Sequence, residues 1–247
     1  MSTRWDTTQV ANGFEAYDDL PECTLGYPFA FRVLRLGDPD VRVVLDFGCG
    51  PGKVAERIVN RYATRVVAVD ASPAMLTIAT GYRADPRIDY RLVSDATMPF
   101  LNDGTIDAAM SCYVFINIGS LEVIHTIVRE VYRVLRPGAR YAVLDTNPDT
   151  TGVEFATFRS GDPGRRYAQG EQRRVLLRHS DGGELTLLDY HWPKEVYREI
   201  LADVGFSSID MHEPVLVNAS DINEISTERA WRNETGKPPF LITVGEK

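Results

Sequence analysis

The segment Asp46-Phe47-Gly48-Cys49-Gly50-Pro51-Gly52 constrains this 247-residue chain more than any other. It follows an apolar run over 42–47 and precedes a stretch that reads as a helix over 53–62. A glycine-rich turn between a buried strand and a helix is characteristic of an α/β unit in which a ligand approaches the backbone closely. The pattern recurs downstream. Arg65 to Val69 is a second apolar run ending at Asp70, and Ser72 and Pro73 are placed as N-cap and first residue of a helix to about Gly81. Runs at 90–93, 106–116 and 141–144 predict further strands. A helix opening at Ser120 separates the last two; Leu121, Ile124, Val128, Val131 and Leu135 form its single apolar stripe, and Pro137-Gly138 is its expected stop. A helix over 193–204 and strands near 206–211 and 240–244 complete the series.

Strands alternating with helices imply a doubly wound, mainly parallel seven-stranded sheet of Rossmann-like α/β class, with ligands bound beyond the carboxyl ends of its strands. Two segments lie outside the repeat. Residues 1–38 carry Trp5, Phe14, Tyr17, Tyr27, Phe29 and Phe31 and read as a helical cap. Residues 148–192 contain a hairpin, 173–180 and 184–192, turning through Asp181-Gly182-Gly183. Neither has enough apolar sequence for a core of its own, so both are expected to roof the sheet edge within a single domain spanning 1–247.

Charge narrows the partners. The net charge is −8 and the pI about 5.1, so there is no whole-chain positive field to hold a nucleic-acid backbone or an anionic bilayer. The longest apolar run, Cys112 to Ile116, is five residues, where a membrane span needs roughly 20. Cys23, Cys49 and Cys112 are scattered, and the four histidines show no metal-ligand spacing. A cytoplasmic protein without a metal, a nucleic-acid partner or a membrane partner is expected; the pattern does not address oligomeric state.

Two nucleotide readings of the loop fail on its residues. A phosphate loop ending at Gly52-Lys53 would need glycine at Phe47 and a hydroxyl at Val54. A dinucleotide fingerprint beginning at Gly48 meets Lys53 where a small residue belongs. Asp46, moreover, would repel a pyrophosphate and attract a cation. S-adenosylmethionine (SAM) carries an ammonium and a sulfonium and no phosphate. Asp70, 22 residues after Gly48, is placed for ribose hydroxyls, and Asp95 for the adenine amino group, with Ala71 and Met75 able to pack on the ring.

Val44 to Gly52 resembles the D-x-G-x-G-x-G loop of the class I SAM-dependent methyltransferases. Val67 to Leu76 is similar to their second-strand motif, and Val134 to Arg140 to their turn before strand five, with Ala139 in place of a glycine. The resemblance implies a small-molecule methyltransferase that uses SAM and releases S-adenosylhomocysteine (SAH). The cofactor set it implies is Asp46, Gly48, Cys49, Gly50, Gly52, Asp70, Ala71, Met75, Asp95, Ala96 and Cys112. A SAM-binding regulator or scaffold without turnover, and an NAD-dependent oxidoreductase, stand as alternatives.

Methyl transfer from a sulfonium is an in-line displacement in which positioning alone contributes about 7–11 kcal/mol. A base is needed only where the acceptor must lose a proton. Ser111-Cys112-Tyr113-Val114 lacks the [DNS]-P-P-[YFW] arrangement of enzymes acting on base amines, which disfavours nucleic-acid bases; the roofing segments 1–38 and 148–192 and the resemblance point to a small-molecule acceptor, an N or O atom being preferred. Tyr113, Phe115 and Asn117 should face the reaction centre or the cofactor, Tyr17 should lie over the cofactor, and His191 should point into the pocket from the hairpin. Tyr17, Tyr113 and His191 are the catalytic candidates. Arg159, Arg165, Arg166, Arg173, Arg174 and Arg178 against Asp162 and Glu171 give residues 159–178 a local charge of +4. This is expected to be a solvated face, or else an anchor for an anionic substrate.

Overall fold

The computed structural model describes residues 3–219 and 231–247. The cap consists of α1 (Thr8–Glu15), a π-helical turn over Glu22–Gly26 and α2 (Tyr27–Val33). There follow β1 (Val43–Phe47), α3 (Lys53–Arg61), β2 (Arg65–Asp70), α4 (Pro73–Tyr82), β3 (Ile88–Leu92), β4 (Ile106–Cys112), α5 (Leu121–Val134) and β5 (Leu135–Thr146). After β5 the insertion supplies β6 (Phe158–Ser160), β7 (Gln172–Arg178) and β8 (Glu184–Tyr190), and the chain ends with α6 (Lys194–Val204), β9 (Ser207–His212), α7 (Leu216–Ala219) and β10 (Phe240–Glu246).

The main sheet has seven strands in the order β3-β2-β1-β4-β5-β10-β9. Pairs among the first five are parallel, while β10 runs antiparallel to both β5 and β9. Strand order reverses between β1 and β4, which opens a crevice at their carboxyl ends. Period-two burial explains why these strands are apolar throughout. Val44, Val66, Ala68, Ala108, Met110 and Leu144 pack on one face with α3 and the cap. Leu45, Phe47, Val69, Ala109 and Val143 pack on the other with α5 and α6. The insertion adds Phe158, Val175, Leu177 and Leu187 to the first cluster, so its apolar residues extend the sheet core.

Three local expectations need correction. The fourth strand stops at Cys112 rather than Ile116, because Tyr113 adopts φ 59° and a 3₁₀ turn follows at Phe115–Asn117. Helix α5 ends at Val134 rather than at Pro137-Gly138, because Leu135 is already extended and pairs with Ile106 in the sheet. The expected hairpin forms between β7 and β8 with one further partner, β6, making a three-stranded antiparallel sheet. Among the described residues no helix is long and apolar enough to cross a membrane.

Candidate active site

The loop after β1 is anchored before any ligand is considered. The Gly48 and Cys49 amides both donate to the Val69 carbonyl, at 2.8 and 2.9 Å. Gly48 sits at φ 79°, and a Cβ there would lie 2.4 Å from Val114; both the conformation and the space require glycine. Asp70, at the end of β2, accepts from the Gly50 amide at 2.7 Å and the Ser72 amide at 2.8 Å. Ser72 caps α4 by accepting from the Met75 amide at 3.2 Å and donates to the Trp5 carbonyl at 2.7 Å. The acid, the loop and the N-terminal segment are thereby fixed to one another.

These elements line a cavity of about 880 Å³ at the sheet's carboxyl edge. Asp46, Gly48, Cys49, Gly50, Asp70, Ala71, Met75, Asp95, Ala96 and Cys112 all border it. Gly52 does not; it lies behind the loop at φ 83°, where a Cβ would meet the Tyr90 hydroxyl at 2.5 Å. Asp95 is exposed, and its Oδ1 accepts from the Thr97 hydroxyl at 2.8 Å, which lowers its proton affinity. The cap contributes Trp5, Phe14, Tyr17 and Glu22 to the cavity wall, and the insertion contributes Phe158, Leu187 and Asp189.

Asp46 dominates the electrostatics. It is 1% exposed, and neither carboxylate oxygen has a hydrogen-bond partner among the described residues. Burial first, and the charge of Asp70 second, push its pKa up to about 7. Asp46 and Asp70 are neighbouring carboxylates, neither with an ion-pair partner among the described residues, which suits this end of the cavity to a positively charged ligand.

The candidates around the acceptor separate. The Tyr17 hydroxyl donates to Glu22 Oε1 at 2.6 Å and lies 3.1 Å from the Thr157 hydroxyl. Tyr113 borders the same cavity with a buried hydroxyl that has no partner among the described residues. Asn117 is also in the wall and accepts from the Trp5 indole at 3.1 Å. Phe115 is not: it is buried in the core, stacked on Tyr197 with ring centroids 5.9 Å apart. His191 also departs from expectation. β8 has ended by Tyr190, and the imidazole sits outside the cavity wall with Nδ1 3.4 Å from Arg173 Nη1. Burial and the Arg173 charge hold its pKa below the usual imidazole value.

None of the six guanidinium groups of the arginine-rich stretch borders the cavity. Arg173 is fully buried and pairs with Asp189 at 2.7 Å, with further bonds to Thr146 and Thr151 at 2.8 Å each. Arg159 pairs with Glu154 at 3.0 Å, Arg165 with Glu171 at 2.5 Å, and Arg178 with Glu154. Arg165, Arg166 and Arg174 fit a solvated face, all three being exposed.

Two contributors went unrecognised in the sequence. Lys53, the first residue of α3, donates through Nζ to the Glu15 carbonyl at 2.8 Å and the Tyr17 carbonyl at 3.3 Å, tying the cap to the loop. Glu22 is a buried carboxylate in the cavity wall. The sequence signal available for Glu22 was its distance of five residues from Tyr17, too common a spacing to single it out.

The family described as "Methyltransferase domain" matches residues 44–138. The chain is 37% identical over 213 residues to N-demethylindolmycin N-methyltransferase of Streptomyces griseus, covering 85% of this chain and 90% of that protein. It is 31% identical over 189 residues to the ubiquinone/menaquinone biosynthesis C-methyltransferase UbiE of Desulfotalea psychrophila, covering 74% and 72% of the two chains. Among solved structures, the DhpI–SAH complex superposes with a TM-score of 0.58 over 97% of this chain and 92% of that one, at 15% identity, a likeness of fold.

Proposed function

The chain belongs to the class I SAM-dependent methyltransferases, and on that premise we propose that it methylates a nitrogen or oxygen atom of a small molecule enclosed in the roofed cavity. One observation carries this reading. A single cavity runs from the glycine loop and Asp46 to a wall of Tyr17, Tyr113, Phe158 and Leu187. Its volume, about 880 Å³, lies in the upper part of the roughly 300–1,000 Å³ range of ligand pockets, as a site for a cofactor beside a small acceptor requires.

The residues present fit the cofactor. The unpartnered carboxylate of Asp46 is a buried anion complementary to the ammonium of SAM. Asp70 retains acceptor capacity for ribose hydroxyls beyond its two loop bonds, and Met75, Ala71 and Ala96 offer an apolar wall for adenine. When bound, SAM supplies an electrophilic methyl carbon on a sulfonium leaving group. The protein's own part is to hold the acceptor in line and to exclude water, roles we assign to Tyr17, Tyr113 and the aromatic side chains of the cap and insertion. The Streptomyces relative, an N-methyltransferase, supports nitrogen ahead of oxygen.

The test has two arms. SAH at 100 times its Kd should raise stability by about 2.7 kcal/mol, with NAD producing no shift. Methyl-labelled SAM should then transfer label to amines or phenols in a small-molecule panel. A shift with NAD instead of SAH, or no labelled product, refutes the proposal.

A further inference from the structure

Beneath the cap lies a carboxylate that cofactor binding does not explain. Glu22 opens the π-helical turn Glu22–Gly26, a rare backbone form that often marks functional sites. The residue is 5% exposed, borders the cavity, and is held asymmetrically. Oε1 accepts from the Tyr17 hydroxyl at 2.6 Å, whereas Oε2 is buried with no partner among the described residues. The cations nearby are committed elsewhere. Arg57 pairs with Asp19 at 2.9 Å, and Lys53 Nζ is held by the Glu15 and Tyr17 carbonyls. The remaining titratable neighbours among the described residues, Asp19, Cys23, Tyr27 and Tyr113, are carboxylic, thiol or phenolic. Among the described residues, the wall formed by Tyr17, Glu22 and Tyr113 therefore holds a carboxyl group with no ion-pair partner, on which Lys53 acts only through its field, beside a phenol with no hydrogen-bond partner.

We infer that Glu22 is a catalytic residue that binds the acceptor as an ammonium ion and takes its proton, so that the substrate class is amines. The inference rests on the methyl-transfer reading above. Oε2 removes one N–H proton, and the freed nitrogen lone pair forms the new N–C bond. The S–C bond breaks with its electrons remaining on sulfur. The product departs as a methylated ammonium ion, and Glu22 returns its proton to solvent. Burial raises the Glu22 pKa to about 8, and the Tyr17 hydrogen bond draws it back down. That value suits a group that must accept a proton and then release it near neutral pH.

The experiment uses three probes of one size, phenethylamine, 2-phenylethanol and phenylacetate, titrated by calorimetry into SAH-saturated protein at pH 8.5. The amine is expected to bind at least tenfold more tightly than the alcohol, with phenylacetate weakest. Glu22→Gln should remove that preference, leaving alcohol binding and the SAH-induced melting shift in place. Amine affinity should rise between pH 6 and 8.5 in the wild type and stay flat in Glu22→Gln. Tyr17→Phe, which keeps the ring and deletes the donor, should move the rise to higher pH. Equal binding of the three probes, an amine preference that survives Glu22→Gln, or no amine binding to a protein that SAH stabilises would overturn the inference. A wild type that SAH does not stabilise would refute the methyl-transfer reading instead.

Discussion

Replacing Asp46 with asparagine tests the electrostatic core of the cofactor site. Asp46 has a pKa of about 7 in the folded chain against a reference of 3.8, with burial the main cause and the charge of Asp70 next. The difference is about three units, and at about 1.4 kcal/mol per unit it amounts to about 4 kcal/mol. The sign follows from proton linkage. Between about pH 4 and 7 the native state holds a proton that the unfolded chain has lost, so stability from this group is complete at low pH and is lost as pH rises through 7. Asp46→Asn removes that dependence. Any pH-independent cost of burying the amide, about 1–3 kcal/mol, shifts the whole curve without changing its slope. The stability difference between variant and wild type should therefore change by up to about 4 kcal/mol from pH 4 to 8 in favour of the variant. For a chain of this size that corresponds to roughly 8–16 °C in Tm. Scanning fluorimetry without ligand, across that pH range, provides the measurement. Saturating SAH should flatten the wild-type curve, because its ammonium supplies the missing counter-charge, and should stabilise Asp46→Asn less. Wild-type and variant curves that run parallel from pH 4 to 8 would refute the argument.

Other substitutions probe the scaffold around the site. Gly48→Ala forces a Cβ to within 2.4 Å of Val114 at φ 79°; a loss of at least about 2 kcal/mol in urea unfolding is expected, together with a lost SAH shift. Arg173→Met leaves Asp189 buried without its partner and should cost about 3–5 kcal/mol, most of it recovered when Asp189→Leu is added. The same double variant should keep its SAH-induced shift, because neither residue belongs to the proposed cofactor set.

The loop could be read from sequence because its chemistry is local. Strand, acid, glycines and helix follow one another within about a dozen residues, and Gly48 and Gly50 adopt the positive φ that glycine alone takes up readily. The acids Asp70 and Asp95 were legible for a related cause, as each ends or follows a strand in a repeating unit. His191 was misplaced because its direction depends on where β8 stops, which is set by pairing with β7 and not by the residues around it. The arginine stretch fits a solvated face at Arg165, Arg166 and Arg174 but not at Arg173, for a comparable reason. Charge counting treats Arg173 and Arg174 alike, whereas neighbours on one strand point to opposite faces, one into the interior against Asp189 and the other to solvent.

The amino-acid sequence alone determined the α/β class, the sheet of seven strands and the cationic character of the cofactor, because alternating apolar periods, glycine at forced backbone angles and a carboxylate before the first glycine act over short distances. Tertiary structure decided which polar groups lose their water. Docking of the cap and insertion on the sheet edge buries Glu22 beside Tyr17, leaves the Tyr113 hydroxyl without a hydrogen-bond partner among the described residues and neutralises Arg173. Desolvation is a property of the assembled surface, and residues more than a hundred positions apart in the chain create it together.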